Sequence, residues 1–259
     1  MKVISFINEK GGTGKTTLAV NLAAYYALKR GKKVLLVDLD SQGQAGKSLG
    51  VAVRDAELTI FELLTHTSLD PRQAVQPTRI KKLDILCSNK RLSDLPERLA
   101  RHPDRALRLR NCLMRLDPGS YDYIVIDSPP SLGLVTTNIL AVSTDLVVPV
   151  ALTYLSLDGC AEVLQSMETI RTTYPESTVK LGLVVPTMYR NTRLANEIVA
   201  KLAQYFPDRL SKTVLGFNVK IDEAQSFGKT IWEYEPEGRG ALMLESVAVE
   251  LFNKVLRYS

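Results

Sequence analysis

Cysteine, histidine and tryptophan are scarce in this chain of 259 residues, which holds three, two and one of them. Cys87, Cys112 and Cys160 form an odd set at wide spacings with no C-x-x-C pair, which argues against a disulfide framework and against a thiolate metal site. With only His66 and His102 available, zinc binding and histidine-based catalysis are poorly supplied, and both rings are expected at the surface. No apolar run approaches the roughly eighteen residues of a membrane helix, and no basic, apolar leader opens the chain, so a cytoplasmic protein is expected. What remains is 45% hydrophobic and 24% charged, a composition suited to one large α/β domain spanning residues 1–259.

The chain is richest in chemistry at Lys10-Gly11-Gly12-Thr13-Gly14-Lys15-Thr16-Thr17. Before it, Val3-Ile4-Ser5-Phe6-Ile7 reads as a buried strand; after it, Leu18, Leu22, Tyr25, Tyr26 and Lys29 keep a helical spacing with a polar reverse face. A glycine-rich loop with two lysines and two hydroxyls between a strand and a helix N-terminus looks like a phosphate cradle. Glycines at 11, 12 and 14 allow positive φ and close approach, so that backbone N–H groups converge on phosphate oxygens beside the positive end of the helix dipole. Lys15 adds a point charge, and the Thr16 hydroxyl suits Mg²⁺. The usual G-x-x-x-x-G-K-[ST] form needs glycine at position 9, where this chain has Glu9, followed by an additional Lys10. Two lysines in one short loop repel each other unless a polyanion neutralises both, which points to a nucleoside triphosphate.

Gly31 supplies a helix stop, and Lys33-Val34-Leu35-Leu36-Val37-Asp38 reads as a second buried strand. Its loop carries Asp40. In an open parallel sheet, ligands lie beyond the carboxyl ends of the strands, which brings Asp38 and Asp40 near the phosphates, where a carboxylate is useful for holding Mg²⁺ or orienting water. Taken alone, this loop also fits an ordinary turn rich in Asp and Gly. Tyr121-Asp122-Tyr123-Ile124-Val125-Ile126-Asp127 is a third apolar strand ending in a carboxylate, and Asp127 completes a phosphate-and-Mg²⁺ arrangement. Further strands are expected at Leu83–Leu86, Asp145–Val150 and Val179–Val185, with helical patterns at Ile60–Leu64 and on either side of Pro103. This alternation predicts an α/β fold, a mostly parallel twisted sheet with helices on both faces. Residues 79–115 hold eleven basic side chains against four acidic, an excess of seven where the whole chain has five. Arg98, Arg101, Arg105 and Arg108 keep helical spacing across Pro103, and either a phosphate-contacting face or a merely solvated one fits them.

Jointly these stretches, with Leu157-Asp158-Gly159, Thr187-Met188-Tyr189, Glu223 through Lys229 and Gly238-Arg239-Gly240-Ala241, resemble the ParA/MinD group of P-loop ATPases with the deviant Walker A motif, and its ParA (Soj) partitioning branch most of all. The resemblance covers nearly the whole chain. It implies a slow, partner-stimulated ATPase with ATP and Mg²⁺ as cofactors, in an ATP-bound homodimer. Lys10 would reach the partner's phosphates, Gly11, Gly12, Thr13, Gly14, Lys15, Thr16 and Thr17 would hold the chain's own nucleotide, and Asp40 would position the attacking water. Thr16, Asp40 and Asp127 would serve the metal, Asp127 as the Walker B carboxylate, and Asn218 would contact the base. It further implies non-specific DNA binding, nucleoid association, and a ParB-like or cargo-adaptor activator. Where many members read Pro-Arg-Asn, this chain has Gly216-Phe217-Asn218, so a basic residue the family often turns toward DNA is missing. A MinD-like, membrane-recruited switch is the alternative, but it needs a basic amphipathic tail. The last helical pattern, Leu244 to Leu256, instead mixes Glu245 and Glu250 with Lys254 and Arg257 and fits a docked core helix. An iron–sulfur reductase of related fold would need a cluster-binding cysteine pair, which the chain lacks.

Overall fold

In the computed structural model, residues 2–53, 56–153 and 156–257 are described, with side chains for all of these but 156–158; Leu157 and Asp158 of the motif above therefore lie outside the described side chains. The apolar runs form β1 (Lys2–Phe6), β2 (Val34–Asp38), β3 (Val75–Pro77), β4 (Leu83–Leu86), β5 (Tyr123–Asp127), β6 (Asp145–Ala151) and β7 (Lys180–Thr187). They hydrogen-bond in the order β3-β4-β2-β5-β1-β6-β7. All neighbours are parallel except β3, which runs antiparallel to β4 at one edge. That three-residue edge strand is not foreseen from the sequence. It has no measurable period, and Pro77 within it is tolerated because an edge leaves one side of the strand unpaired.

The central strands divide their side chains between two covered faces with period two. Ile4, Phe6, Leu36 and Val125 pack toward α1 (Lys15–Arg30), while Val3, Leu35, Val37, Ile124 and Ile126 pack against the opposite cluster. The first face is closed by α9 (Val219–Ser226), α10 (Ile231–Tyr234) and α11 (Arg239–Leu251); the second by α3 (Ile60–Thr65), α4 (Leu95–Arg98), α5 (Arg108–Leu113) and α6 (Leu134–Val142). A third cluster joins β6 and β7 to α7 (Ser156–Thr173) and α8 (Arg193–Tyr205). The short α2 (Gln44–Ser48) follows β2.

Two expectations about helices are corrected. α1 has no polar reverse face: every residue from Leu18 to Ala27 is buried. Its alanines let α10 and α11 close over it, and its polar groups are satisfied from there. Asn21 Oδ1 accepts the Ile231 N–H at 2.9 Å, the Asn21 carbonyl accepts Trp232 Nε1–H at 2.8 Å, and the Tyr26 hydroxyl donates to the Ala248 carbonyl at 2.9 Å. The arginine face around Pro103 is also interrupted. Short 3₁₀ and irregular turns between α4 and α5 reset the helical phase, so Arg108 is buried, paired with Asp104 at 3.1 Å and hydrogen-bonded to His102 Nδ1 at 2.8 Å. Arg98, Arg101 and Arg105 stay exposed.

α11 buries Leu244, Val247 and Leu251 in the first core cluster, as expected of a docked helix. No described helix is long and apolar enough to cross a membrane. The three cysteines are free and buried, and burial pushes their thiols up, to about 12 for Cys87 and Cys112 and about 11 for Cys160, which makes them inert core residues.

Candidate functional site

The strand order places the carboxyl ends of β2, β5 and β1 side by side, with Asp38 in register with Asp127 and Asp127 with Phe6. The three loops that leave these ends therefore meet at one edge of the sheet, where α/β folds bind ligands.

The first loop turns into α1 through Gly12 at φ 71° and Gly14 at φ 89°, left-handed conformations that a side chain would strain. Gly11 has no such φ, and a Cβ there would meet nothing within 4 Å; its lack of a side chain leaves the backbone open to a ligand. Asn8 and Thr187 fix the loop from outside. Asn8 Oδ1 accepts the Lys10 N–H at 3.0 Å while its amide donates to the Pro149 carbonyl at 2.8 Å, and the Thr187 hydroxyl donates to the Thr13 carbonyl at 2.8 Å. Gln225 of α9 reaches Thr17 Oγ1 at 3.1 Å. No side chain caps α1, so its first N–H groups and dipole are left for an anion.

Lys15 is 6% exposed, and its ammonium donates to the Lys10 carbonyl at 2.9 Å. Burial holds its pKa below the usual lysine value, opposed by the nearby Asp127 and Asp40 carboxylates. Among the described residues, the Lys10 ammonium makes no ion pair or hydrogen bond, although the Lys10 backbone is held at both ends.

Asp127 is wholly buried, and neither of its carboxylate oxygens has a hydrogen bond of accepted geometry among the described residues. Burial and then the facing Asp38 drive its pKa well above the carboxylate range, while Thr16 and Lys15 pull it down. Asp38 is equally buried, but it is satisfied. It accepts the N–H groups of Asp40 at 3.0 Å, Ala45 at 3.0 Å and Gly46 at 3.4 Å, and burial still pushes its carboxyl up to about 7. Asp38 thus folds the loop, and Asp40 is what the loop presents. Half-buried, Asp40 accepts the Gln42 N–H at 2.9 Å and lines, with Gly11 to Thr17, a cavity of about 280 Å³.

The orphaned oxygens of Asp127 beside the Thr16 hydroxyl are a donor set for a hard divalent cation. No three carboxylate, imidazole or thiol groups converge among the described residues. An all-protein cage is therefore not on offer, and Mg²⁺, which keeps waters and shares itself with substrate phosphates, fits this sparse set.

Asn218 sits beside this cavity in a narrow crevice with Gly14, Thr17, Met188 and Phe217. Its side-chain carbonyl caps α9, accepting from Lys220 N–H at 2.9 Å and Ile221 N–H at 3.3 Å, which fixes the residue next to the loop. Met188, at φ 54°, lines both spaces. Sequence reasoning assigns no role to Met188, Thr187, Asn8 or Gln225. The position of Thr187 and Met188 at the carboxyl end of β7 is the signal that could have found them.

The profile of a family described as an AAA domain matches residues 1–180. The sporulation initiation inhibitor protein Soj of Bacillus subtilis is 35% identical over 250 residues, 96% of this chain and 98% of Soj. The chromosome-partitioning ATPase Soj of Thermus thermophilus is 38% identical over 252 residues, 97% and 96% of the two chains. Among solved structures, cobyrinic acid a,c-diamide synthase of Mycobacterium smegmatis, with bound ATP analogue and magnesium, superposes with a TM-score of 0.79 at 27% identity, covering 100% of this chain and 95% of that one.

Proposed function

The chain belongs to the Soj/ParA family of partitioning ATPases, and from that membership we propose that it is an ATP-dependent dimerising switch that binds DNA without sequence preference and positions a large cellular cargo. The observation that carries the reading is that Lys15, Thr16 and Asp40 line one glycine-rich cavity at the sheet edge, with the unsatisfied Asp127 buried beside Lys15 and Thr16. ATP phosphates enter this cavity against the α1 N-terminus and the Lys15 ammonium. Thr16, Asp40 and Asp127 would hold Mg²⁺, which would supply neutralisation of phosphate charge. Asp40, presented by a loop tied to Asp38, orients the water that attacks the terminal phosphorus. Asn218 and Met188, which line the adjoining crevice, would contact the base.

Lys10 is the trans element in this reading: its ammonium has no partner among the described residues in a loop already served by Lys15. Two variants test this together. Asp40→Ala should keep ATP and accumulate the dimer, with turnover down by on the order of a hundredfold, whereas Lys10→Ala should bind ATP and remain monomeric by light scattering. An ATP-dependent Lys10→Ala dimer, or parental turnover in Asp40→Ala, would overturn the assignment.

Part of the DNA contact is proposed for the middle segment, alongside Arg190, Arg193 and Lys220. These three C-terminal residues have partners within the chain: Arg193 pairs with Glu197 and Lys220 with Glu223, each at 2.8 Å, and Arg190 lies 5.6 Å over the Phe217 ring. Arg98, Arg101 and Arg105 are exposed and make no ion pair among the described residues. Arg101→Glu and Arg105→Glu are each expected to weaken duplex binding and to flatten its salt dependence, by up to about one unit of slope for each phosphate that is no longer neutralised, with DNA-free ATP turnover unchanged. Silent results there, with Lys220→Glu abolishing binding, would move the interface to the C-terminal side. Because Arg108 is buried, its replacement tests folding and not DNA contact. The buried apolar side of α11 supports a switch that uses DNA as its matrix in preference to a bilayer. On this reading the protein is nucleoid-associated in the cytoplasm and answers to a ParB-like or cargo-adaptor activator.

A further inference from the structure

A second cavity, of about 430 Å³, opens beside the Asp40 loop between α2 and the segment that leaves β4. It is larger than the glycine-lined one and lies within the size range of small-molecule sites. Ser41 and Gln42 form one wall, Lys47 of α2 another, and Ser88, Lys90 and Arg91 the third. Three cations line it, and no carboxylate does among the described residues. Each of the three keeps donor capacity. Among the described residues, Lys90 makes no ion pair, and the Lys47 ammonium donates only to the Gln42 carbonyl, at 2.5 Å. Arg91 donates one nitrogen to Glu62 at 2.6 Å while its guanidinium rests 4.7 Å over the Phe61 ring, which pre-orients its remaining N–H groups. Ser88 is wholly buried, and its hydroxyl has no hydrogen-bond partner among the described residues. A donor left unsatisfied against a cationic cavity calls for an acceptor that the protein does not supply.

We propose that this cavity is a second anion site, which takes a small phosphate-bearing molecule and acts on the Asp40 loop. A concave space of this size, lined by three cations and by Ser88, suits a compact phosphate ester better than the continuous backbone of a duplex. The coupling runs through Gln42. Its N–H is held by the Asp40 carboxylate at 2.9 Å and its carbonyl by Lys47. An anion that draws the Lys47 ammonium away frees that carbonyl, and the peptide that tethers Asp40 can then turn. Occupancy therefore changes how Asp40 is presented. This regulatory part rests on the reading of Asp40 as the water-orienting residue; the binding part does not.

The test uses the full chain with Mg²⁺ and a non-hydrolysable ATP analogue at saturation, so that the first cavity is filled. Inorganic phosphate and fructose 1,6-bisphosphate are titrated by calorimetry into the parent, Lys90→Glu and Ser88→Ala, with a short duplex DNA as a separate arm. Saturable binding of the bisphosphate is expected in the parent, weakened about tenfold or more by the reversed charge of Lys90→Glu and several-fold by Ser88→Ala, with analogue affinity unchanged. ATP turnover should shift by about twofold or more with the bisphosphate in the parent and not in Lys90→Glu. No saturable binding below about 10 mM, or equal binding by the parent and Lys90→Glu, overturns the proposal. So does a Lys90→Glu effect confined to duplex DNA, which would make this wall part of a DNA face. Failure of the analogue to bind would overturn the ATPase assignment of the first cavity, while the Lys90 dependence of phosphate binding still decides the second. If Lys90→Glu does not fold, Lys90→Ala is read in its place, with a loss of about threefold or more expected and no loss counting against the site.

Discussion

Replacing Lys15 by alanine should weaken ATP binding by about a hundredfold or more, the equivalent of about 3 kcal/mol, and leave the fold standing. The two halves of this expectation have separate causes. Lys15 is the first residue of α1, where alanine is the best helix former, so the helix itself loses nothing. What the substitution removes is an ammonium that burial has already stripped of most of its water and that donates to the Lys10 carbonyl at 2.9 Å. A cation prepared in this way meets a phosphate at little further desolvation cost, and its loss leaves the polyanion facing backbone dipoles alone. Calorimetric ATP affinity and the thermal midpoint, taken on one preparation, check both halves. An unchanged affinity would mean that the phosphates are held somewhere other than the glycine-lined cavity.

Why the loop that carries Lys15 stands out in the sequence, and other residues around the cavity do not, is a matter of sequence distance. A strand, its terminal carboxylate and the loop that follows are contiguous, so the Lys10–Thr17 loop, Asp38, Asp40 and Asp127 carry their context with them. So do the strands themselves, because both faces of a parallel sheet are covered and each strand reads as an unbroken apolar run. The groups that hold the loop in place are remote. Thr187 binds Thr13 across 174 positions, Gln225 binds Thr17 across 208, and Asn8 braces against Pro149 across 141. A strand end can draw notice to Thr187, but no local pattern announces the partner that each of these residues meets. The buried reverse side of α1 has the same origin, since the helices that cover it lie some two hundred residues downstream, and nothing within Lys15–Arg30 distinguishes a covered alanine from an exposed one. Arg108 is a different failure. Its spacing from Arg105 and Arg101 assumes one helical phase, and the turns after Pro103 break that phase.

The sharpest consequence of the site's electrostatics concerns Asp127→Asn, which should stabilise the nucleotide-free, metal-free protein and remove the Mg²⁺ dependence of ATP binding. Asp127 and Asp38 stand in register on adjacent strands, both wholly buried, and each acid is pushed above its ordinary range, first by burial. A carboxyl whose folded value lies above its unfolded one binds more protons in the folded chain over the interval between the two. Stability is therefore greatest below that interval and falls as pH rises through it. For Asp38 the interval runs from an unfolded value of about 4 to about 7, and Asp127 is shifted in the same direction. The metal-free parent should accordingly lose thermal stability between about pH 5 and pH 8. Asp127→Asn, with no proton to lose and a neutral amide that costs less to leave unpartnered than a carboxylate does, should lose less over the same range. At pH 8 its midpoint should lie above the parent's, by on the order of a few °C. Mg²⁺ with ATP should reverse the ranking, because the two carboxylate oxygens that have no hydrogen-bond partner among the described residues are the ones a divalent cation would take. The parent should gain stability and ATP affinity from the metal and the variant should gain neither, with turnover in the variant down by on the order of a hundredfold or more, since metal charge neutralisation is worth several kcal/mol. Melting curves from pH 5 to 8 in chelator and in Mg²⁺, with ATP titrations in each, separate the outcomes. A variant less stable than the parent at pH 8 in chelator, or one whose ATP affinity still rises with Mg²⁺ as the parent's does, would show that Asp127 is satisfied by other means and is not the carboxylate that meets the metal.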